Sequence, residues 1–510
     1  MPNKIDSNIT GLAFAEESSL KVLPGASEAN AVWFTLEPNS YSDFGGELST
    51  VARAPINASR QRQKGSVTDL DASGGFNADL TQNNLTRLLQ GFFFADAREK
   101  PSTAPMNGTQ VALTSVTGAN QFAAASGLTV FKVGHLVLAS NFNTTANNGL
   151  AVVSTVAAAL LTVSKTLTAE ASPPASAKVE AVGFEFAAGD VVLTASASSI
   201  KLTCTAGDFS TLGLNVGEWV FIGGDATANK FATNAPGYGR IKSIAAKTLE
   251  FSETTFAAVT DTGAGKQIRL FFGNVIRNEK TPSLIKRRSY NLERQLGDDG
   301  SGTQSEYLIG AIPNEFTLNI PQADKLNADL TFVAMDNIQR TGVQGVKAGT
   351  RYASPNEAAF NTSSDVYRLR MNVVDPTTLN NTSLFGYVSE MTLAINNNVQ
   401  PSKAIGVLGA FDASAGDFEV SGSLTAYFTS VAAVQAVRNN SDVALNVIVA
   451  QNNAAVAFDV PLVALGGGRI NVEKDAPITV PLESSGAENA AGYTMLATFL
   501  PYVPNVGMPA

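Results

Sequence analysis

Few residues in this 510-residue chain could carry chemistry. A Ser-His-Asp or Cys-His relay needs a histidine base, and the sequence holds one histidine, His135, and one cysteine, Cys204. His135 follows Val133-Gly134 at the head of an alternating segment and is expected to be an exposed strand residue. Cys204 shares parity with Ile200 and Leu202, as a buried core thiol does and a reactive nucleophile does not. A lone cysteine permits no internal disulfide, and a zinc site needs several Cys or His ligands. Asp298-Asp299-Gly-Ser-Gly offers oxygens to Ca²⁺ but lacks the rest of a metal loop and reads as a flexible turn. Glu16 and Glu17 are carboxylates that a glycosidase could pair, yet no cluster of exposed aromatics accompanies them. No GxxxxGK[ST] loop occurs, and no GxGxxG lies between a strand and a helix. The expectation is therefore a protein that is not an enzyme, with no catalytic residue, no cofactor and no metal.

The elements that the sequence does specify are strands. Phe418 to Phe428 places Phe418, Val420, Leu424, Ala426 and Phe428 on one face and Glu419, Ser421, Ser423, Thr425 and Tyr427 on the other. This period of two marks a sheet with one buried and one wetter face. Similar alternation predicts strands at 30–36, 76–80, 315–320, 329–335, 389–396, 443–449, 455–461, 468–472 and 493–500. Two short helices are predicted. One starts near Thr81, with Leu85, Leu88, Leu89 and Phe92 as its stripe; the other starts near Ser430, with Val431, Val434 and Val437. Each follows a strand directly, as if two halves of one β-rich domain flank the middle of the chain.

Composition narrows the class. Apolar residues reach 44%, enough for packed cores, while charged residues are only 15%, against about 25% in an average soluble domain. At about 150 residues per domain the length suggests three or four domains. The net charge is -9. A duplex binder carries a basic face; an acidic wall instead repels DNA and lets it slide past. The start lacks a basic-then-apolar signal, and no run approaches about 18 consecutive apolar residues, so no membrane span is expected. Synthesis and folding in a cytoplasm follow.

From Pro101 to about Lys266 the chain turns to Ala, Ser, Thr and Val, and it repeats itself. Phe131-Lys-Val-Gly-His-Leu-Val-Leu resembles Leu214-Asn-Val-Gly-Glu-Trp-Val-Phe, Val111-Ala-Leu-Thr matches Val191-Val-Leu-Thr, and Leu161-Thr-Val-Ser matches Leu249-Glu-Phe-Ser. Glu218 is thus the counterpart of His135. Two copies of one small barrel-like β-module are expected at 105–186 and 187–272, joined near Pro173-Pro174. Basic residues cluster in Arg60-Gln-Arg-Gln-Lys64 and Lys286-Arg-Arg288. In an acidic chain such clusters can make charge-paired contacts with a neighbouring copy. Arg60, Arg62, Lys64, Lys286, Arg287, Arg288, Glu293 and Arg294 are the candidate inter-subunit residues.

Thr281-Pro-Ser-Leu-Ile-Lys-Arg-Arg-Ser-Tyr-Asn-Leu-Glu-Arg, a Gly/Asp loop, Tyr307-Leu-Ile-Gly-Ala-Ile-Pro-Asn-Glu-Phe-Thr-Leu-Asn-Ile and Leu330-Thr-Phe-Val-Ala-Met-Asp follow one another in an order that resembles the tail tube proteins of long-tailed, non-contractile bacteriophages. Val420-Ser-Gly-Ser-Leu-Thr-Ala-Tyr-Phe and Phe458-Asp-Val-Pro-Leu extend the likeness, as does Arg53 through Phe94. The resemblance covers roughly 30–100 and 275–500. It implies a mainly β fold: an antiparallel β-sandwich with short flanking helices that joins its copies in a common β-barrel on oligomerisation. Residues 1–104 and 273–510 would be the two halves of the tube domain, with a stacking loop at about 279–305. The inserted modules would sit outside the tube and could be excised without disturbing it. Six-fold rings would stack into a hollow conduit for genome passage, contacting tape measure and terminator proteins, and DNA would pass without specific binding. The location implied is the virion tail, assembled in the host cytoplasm. The alternatives are another β-rich virion or cell-surface structural or adhesive protein and, further off, a carbohydrate-active enzyme.

Overall fold

The computed structural model describes residues 5, 10–24, 31–56, 58, 61–298, 300, 302–374 and 382–509. The chain is mainly β, and its described α-helices are two seven-residue segments, Thr86–Phe92 and Ala432–Arg438. It packs as two units, one made of residues 1–95, 281–360 and 389–424 and the other of 96–280, 361–388 and 425–510. The first helix belongs to the former unit and the second to the latter.

The first unit is organised by one long strand, Thr303–Ile320. Its first half pairs with Tyr290–Asp298 on one side and Asp336–Thr341 on the other; its second half pairs with Asn327–Ala334 and Val388–Asn396. The strand therefore serves two sheets in turn. It changes sheets near Gly310, whose φ is +64°, a conformation open to glycine and costly for other residues. The Gly310 N–H points away from the ladder and donates to Glu17 Oε1 at 2.8 Å. Alternation buries Phe316, Leu318 and Ile320 against Phe76, Leu330 and Phe332. The helix Thr86–Phe92 closes this core. Leu88, Leu89 and Phe92 are wholly buried, and the Phe92 ring lies 5.3 Å from Phe332 and 5.9 Å from Phe316. That helix starts at Thr86 rather than near Thr81. Thr81 and Asn84 exchange hydrogen bonds in a preceding turn, and Glu357 accepts from the Asn83 N–H at 2.8 Å. Polar side chains have stabilised a turn where the apolar stripe alone suggested helix.

Two strands of this unit extend past the alternation read for them. Pro38–Arg53 and Gln63–Asp79 form a ribbon 16 and 17 residues long. Leu70, Ala72, Phe76 and Ala78 share one buried face, and beyond Leu70 the ribbon is exposed. Gly468–Val472, expected as a strand, makes only an isolated bridge between Asn471 and Thr479.

In the second unit, twelve strands form one sheet with a repeated order. From its edge inward, the first set is Leu113–Thr117, Gln121–Ala124, Leu160–Val163, Gly149–Val156, His135–Ser140 and Lys178–Glu185. The second set is Val191–Ser196, Ser199–Cys204, Thr248–Thr254, Gly237–Ala245, Trp219–Ile222 and Arg269–Phe271. Lys178–Glu185 and Arg269–Phe271 pair with each other at the centre. The matched Val-Gly turns share one backbone conformation, φ +91° at Gly134 and +89° at Gly217. Both sets feed a common core that includes Phe122, Phe131, Leu161, Leu202, Phe209 and Phe251, with Cys204 buried at its margin. A further sheet runs through Val366–Val373, Val443–Gln451, Ala454–Gly467, Leu496–Leu500 and Asn274–Arg277. Its residues Ile448, Ala457 and Leu500 share a second core with Leu136, Trp219, Phe221 and Tyr238 of the twelve-stranded sheet.

A Cβ at Gly310 would stand 2.5 Å from Met335 Cγ. Gly310→Ala is therefore expected to lower unfolding free energy by about 1–3 kcal/mol. Urea denaturation measures it, and an unchanged midpoint would remove the strain from the account of this strand.

Candidate assembly interface

Strand alternation in the first unit leaves one sheet face to solvent-facing polar groups. Asn39 donates to Asn77 at 3.0 Å and to Asp79 at 2.6 Å; Asn77 donates to Asn327 and Asp329, each at 2.8 Å; Asn319 donates to the same pair at 3.0 and 2.7 Å. Thr392 and Ser423 hydroxyls meet at 2.9 Å farther along. Cross-strand amide and hydroxyl ladders of this kind hold register while offering water a continuous polar surface. Carboxylates recur on it: Asp79, Glu315, Asp329, Glu390 and Glu419 take the outward parity. Its lysine, Lys325, is held 2.6 Å from Asp79.

The ribbon end beyond this face is exposed on both sides. Leu48, Val51 and Val67 are 54%, 61% and 49% exposed, although a bare two-stranded ribbon is marginal in water. This surface went unnoticed in the sequence because its apolar residues are sparse and its glycines and serines give no period.

The eight charged residues singled out by type fall into different surroundings. Arg60 lies outside the described residues. Arg62 and Lys64 are exposed near the ribbon tip, and the Lys286 side chain is exposed. Arg287 is partly exposed, 3.0 Å from Asp412 and donating to the Ala413 carbonyl. Arg288 is buried, donates to the Ala95 carbonyl at 3.1 Å and sits 3.2 Å from Glu16. Glu293 is fully buried; Arg351 grips both its oxygens at 2.9 and 2.8 Å, and the Tyr307 hydroxyl donates at 2.8 Å. Burial and the Glu293 charge together push the Tyr307 phenol far up. Arg294 pairs with Glu306 and lies 4.6 Å over the Phe44 ring. Glu293, Arg288 and Arg294 thus each have partners inside their own unit.

Glu16 and Glu17 are likewise structural. Glu17 accepts from Ser289 Oγ at 2.6 Å as well as from Gly310, and burial raises its carboxyl above the usual range. Among the described residues, no group of three His, Cys, Asp or Glu side chains is placed to hold a metal ion, and no helix is long and apolar enough to cross a membrane.

The second unit concentrates buried charge. Asp459 and Glu253 are almost without exposure. Arg240 reaches Asp459 at 3.2 Å, and the Trp219 indole N–H donates to the same carboxylate at 3.2 Å. Arg368 pairs with Glu253 while its Nε donates to Asn446 Oδ1 at 2.7 Å; Asn372 completes the Glu253 shell at 2.6 Å. Burial pushes the Asp459 carboxyl up, and Arg240 and Trp219 pull it back. Lys100 and Glu218 form a further buried pair at 2.9 Å.

His135 is 1% exposed, not the exposed strand residue that its alternation suggested. Its Nδ1 accepts from the Lys132 N–H at 3.2 Å, three residues back, as Glu218 Oε2 accepts from Asn215 at 2.8 Å in the second set. The position needs an acceptor to close the Val-Gly turn. Histidine and glutamate both supply one, and neighbouring Phe131 and Phe184 rings cover the imidazole.

The geometry defines a β-structured protein whose buried Arg240, Asp459, Glu253, Glu293, Lys100 and Glu218 are committed to ion pairs and whose polar face is laddered. A family model described as phage tail tube protein matches residues 7–486. The chain belongs to that family, and with it go a structural role in the tail tube, self-assembly into that tube and a place in the virion tail. No curated protein matches the chain.

Two outcomes follow. Burial first, then Lys132, lowers the His135 pKa from 6.5 to about 4. The unfolded chain then binds this proton first, so the stability contributed is complete above about pH 6.5 and fades as pH falls toward 4, by roughly 3 kcal/mol. His135→Gln, which keeps an acceptor, is expected to flatten that part of the stability–pH curve; an unaltered slope would mean that His135 charges freely in the folded state. Excision of 105–270 is expected to prevent soluble folding. It strips partners from Asp459 and Arg368, about 3–5 kcal/mol for each broken buried pair, and uncovers Ile448 and Leu500, about 1.5–3 kcal/mol each, against a total of about 5–15 kcal/mol. A soluble, cooperatively melting deletion variant would contradict this.

Proposed function

We propose that this chain is the repeating subunit of a hollow phage tail tube, and that the Asn/Asp-laddered face of the 303–320, 327–334 and 63–79 strands lines its channel. Six copies close a ring, joining their sheets in a common barrel that removes the free strand edges, and rings stack into a conduit for the genome. The carrying observation is the laddered face itself. Its amides are tied to one another and its lysine is tied to Asp79, so DNA phosphates meet few free donors and a fringe of carboxylates. Like charge keeps the duplex from adhering, and the chain has no need of catalysis or cofactor. The exposed cations Arg62, Lys64, Lys286 and Arg287 contact acidic surfaces of adjacent copies. Residues 105–186 and 187–272 act as two copies of one module within the subunit. Tape measure and terminator proteins meet the tube at its lumen and ends, and assembly takes place in the host cytoplasm.

Electron microscopy of purified protein is expected to show six-fold rings or hollow tubes; dispersed monomers at high concentration would overturn the reading. Asp329→Lys with Glu390→Lys is expected to leave the tubes intact and make them retain DNA in a salt-sensitive way. Tubes indifferent to DNA would place another face toward the channel. Arg62→Glu with Lys64→Glu and Lys286→Glu is expected to slow assembly and alter its salt dependence, as light scattering against ionic strength would record.

A further inference from the structure

We propose that Lys100 and Asn215 join side chain to side chain in an amide (isopeptide) bond, with Glu218 carrying the protons and ammonia leaving. The reaction is a single event within one folded chain, not turnover of a substrate.

Lys100 is enclosed in the second unit, its side chain 2% exposed. Its Nζ donates to Glu218 Oε2 at 2.9 Å and to the Gly213 carbonyl at 2.7 Å. The Asn215 side-chain nitrogen donates to the same two oxygens, each at 3.3 Å. Two nitrogens that share two acceptors are neighbours, so the amine stands beside the carboxamide. Asn215 Oδ1 accepts from Arg98 Nη1 at 3.1 Å, and Glu279 holds that guanidinium at 2.6 Å. A cation on the amide oxygen draws electrons from Cγ and stabilises the oxyanion of a tetrahedral adduct. Burial pulls the Lys100 pKa below its ordinary value; Glu218 opposes the drop and Arg98 adds to it. Desolvation thus favours the uncharged, nucleophilic amine. Glu218 is without exposure, and its Oε1 has no hydrogen-bond partner. One carboxylate oxygen therefore touches both reacting nitrogens while the other is free.

The proton moves from Lys100 Nζ to Glu218, and the neutral amine attacks Asn215 Cγ. The new C–N bond forms as the carbonyl electron pair moves onto Oδ1, against Arg98. Glu218 gives its proton to Nδ2 and takes one from the attacking nitrogen. The Cγ–Nδ2 bond breaks as the carbonyl re-forms, and the departing ammonia takes the last proton from Glu218 to leave as ammonium. Atoms and charge balance with no oxidant, reductant or cofactor, and a costly buried ion pair is removed.

The duplication supplies a comparison. In the first set of strands the matching positions are Lys132 and His135, and no carboxamide is present. Lys100 meets the copy in which they are Asn215 and Glu218. Closing the turn needs only an acceptor at 218. It does not account for a buried lysine on that carboxylate, a carboxamide beside it and an arginine on the carboxamide. The bond ties the chain at 100 to the chain at 215 and restricts the unfolded state as a disulfide does, in a protein whose lone cysteine can form none.

Intact-mass spectrometry of the full-length protein under denaturing conditions is expected to find it one ammonia lighter than its sequence. Trypsin is expected to release residues 99–132 and 202–230 as one linked pair, Lys100 being shielded from cleavage by Pro101. Lys100→Arg and Asn215→Ala are expected to show the full sequence mass and no linked pair. Glu218→Gln, close in size but unable to carry the proton, is expected to form the link about a hundredfold more slowly or worse. Circular dichroism checks that each variant folds, and the parent's own mass needs no variant. A folded parent that keeps its full sequence mass after prolonged incubation overturns the proposal and leaves an ion pair only. A link through another asparagine, or one that forms as fast in Glu218→Gln, overturns the assigned residues.

Discussion

Asp459 is a carboxylate with no exposure in a sheet otherwise lined by Ile448, Ala457 and Leu500, and the order of the second unit depends on its being answered. An isolated buried charge costs several kcal/mol, whereas two positioned donors make it tolerable. Both donors, Arg240 and the Trp219 indole, come from the twelve-stranded sheet. Glu253 and Arg368 repeat the arrangement with the charges exchanged between the sheets. Apolar burial is non-directional and fixes the relative position of two sheets less sharply than paired charges do. Buried ion pairs forbid a slip, because any other register strands a charge. The twelve-stranded sheet consequently shares its packing with residues 443–503.

The first unit applies the opposite treatment to its polar groups. Outward side chains along its strands are Asn, Asp, Thr and Ser, and they satisfy one another across strands rather than being sequestered. A surface so tied keeps its shape and leaves few of its donors free. The same alternation that fills the core with Phe76, Phe316 and Phe332 thus generates the wet face at no additional structural cost. Where the chain must leave this regime, at Gly310, it uses a backbone conformation that only glycine adopts easily and anchors the freed N–H on Glu17.

Period-two alternation made several strands legible. Val420, Leu424 and Ala426 are buried in Glu419–Tyr427, and Met391, Leu393 and Ile395 in Val388–Asn396, on the parity read from the letters. Cys204 is buried beside Leu202 as its parity required. Where alternation was absent the reading failed. The outer ribbon has few apolar residues, so no period marked it, and Tyr290–Asp298, within the 279–305 stretch for which the resemblance implied a stacking loop, pairs along its length with Gly11–Glu16 and Thr303–Ile320. Charge type also could not tell Lys286, which is exposed, from Glu293, which is enclosed by Arg351 and Tyr307 more than a dozen residues away in sequence.

The sequence by itself determined the β character, the buried parity of the alternating strands, the scarcity of catalytic groups and the likeness to phage tail tube proteins, because each of these is carried by neighbouring residues or by composition. Only the tertiary structure decided that His135 is buried, that Glu17 clamps a strand crossing, and which carboxylates are enclosed and which face water. Those outcomes depend on partners brought together from distant parts of the chain, and burial is a property of the partners as much as of the residue.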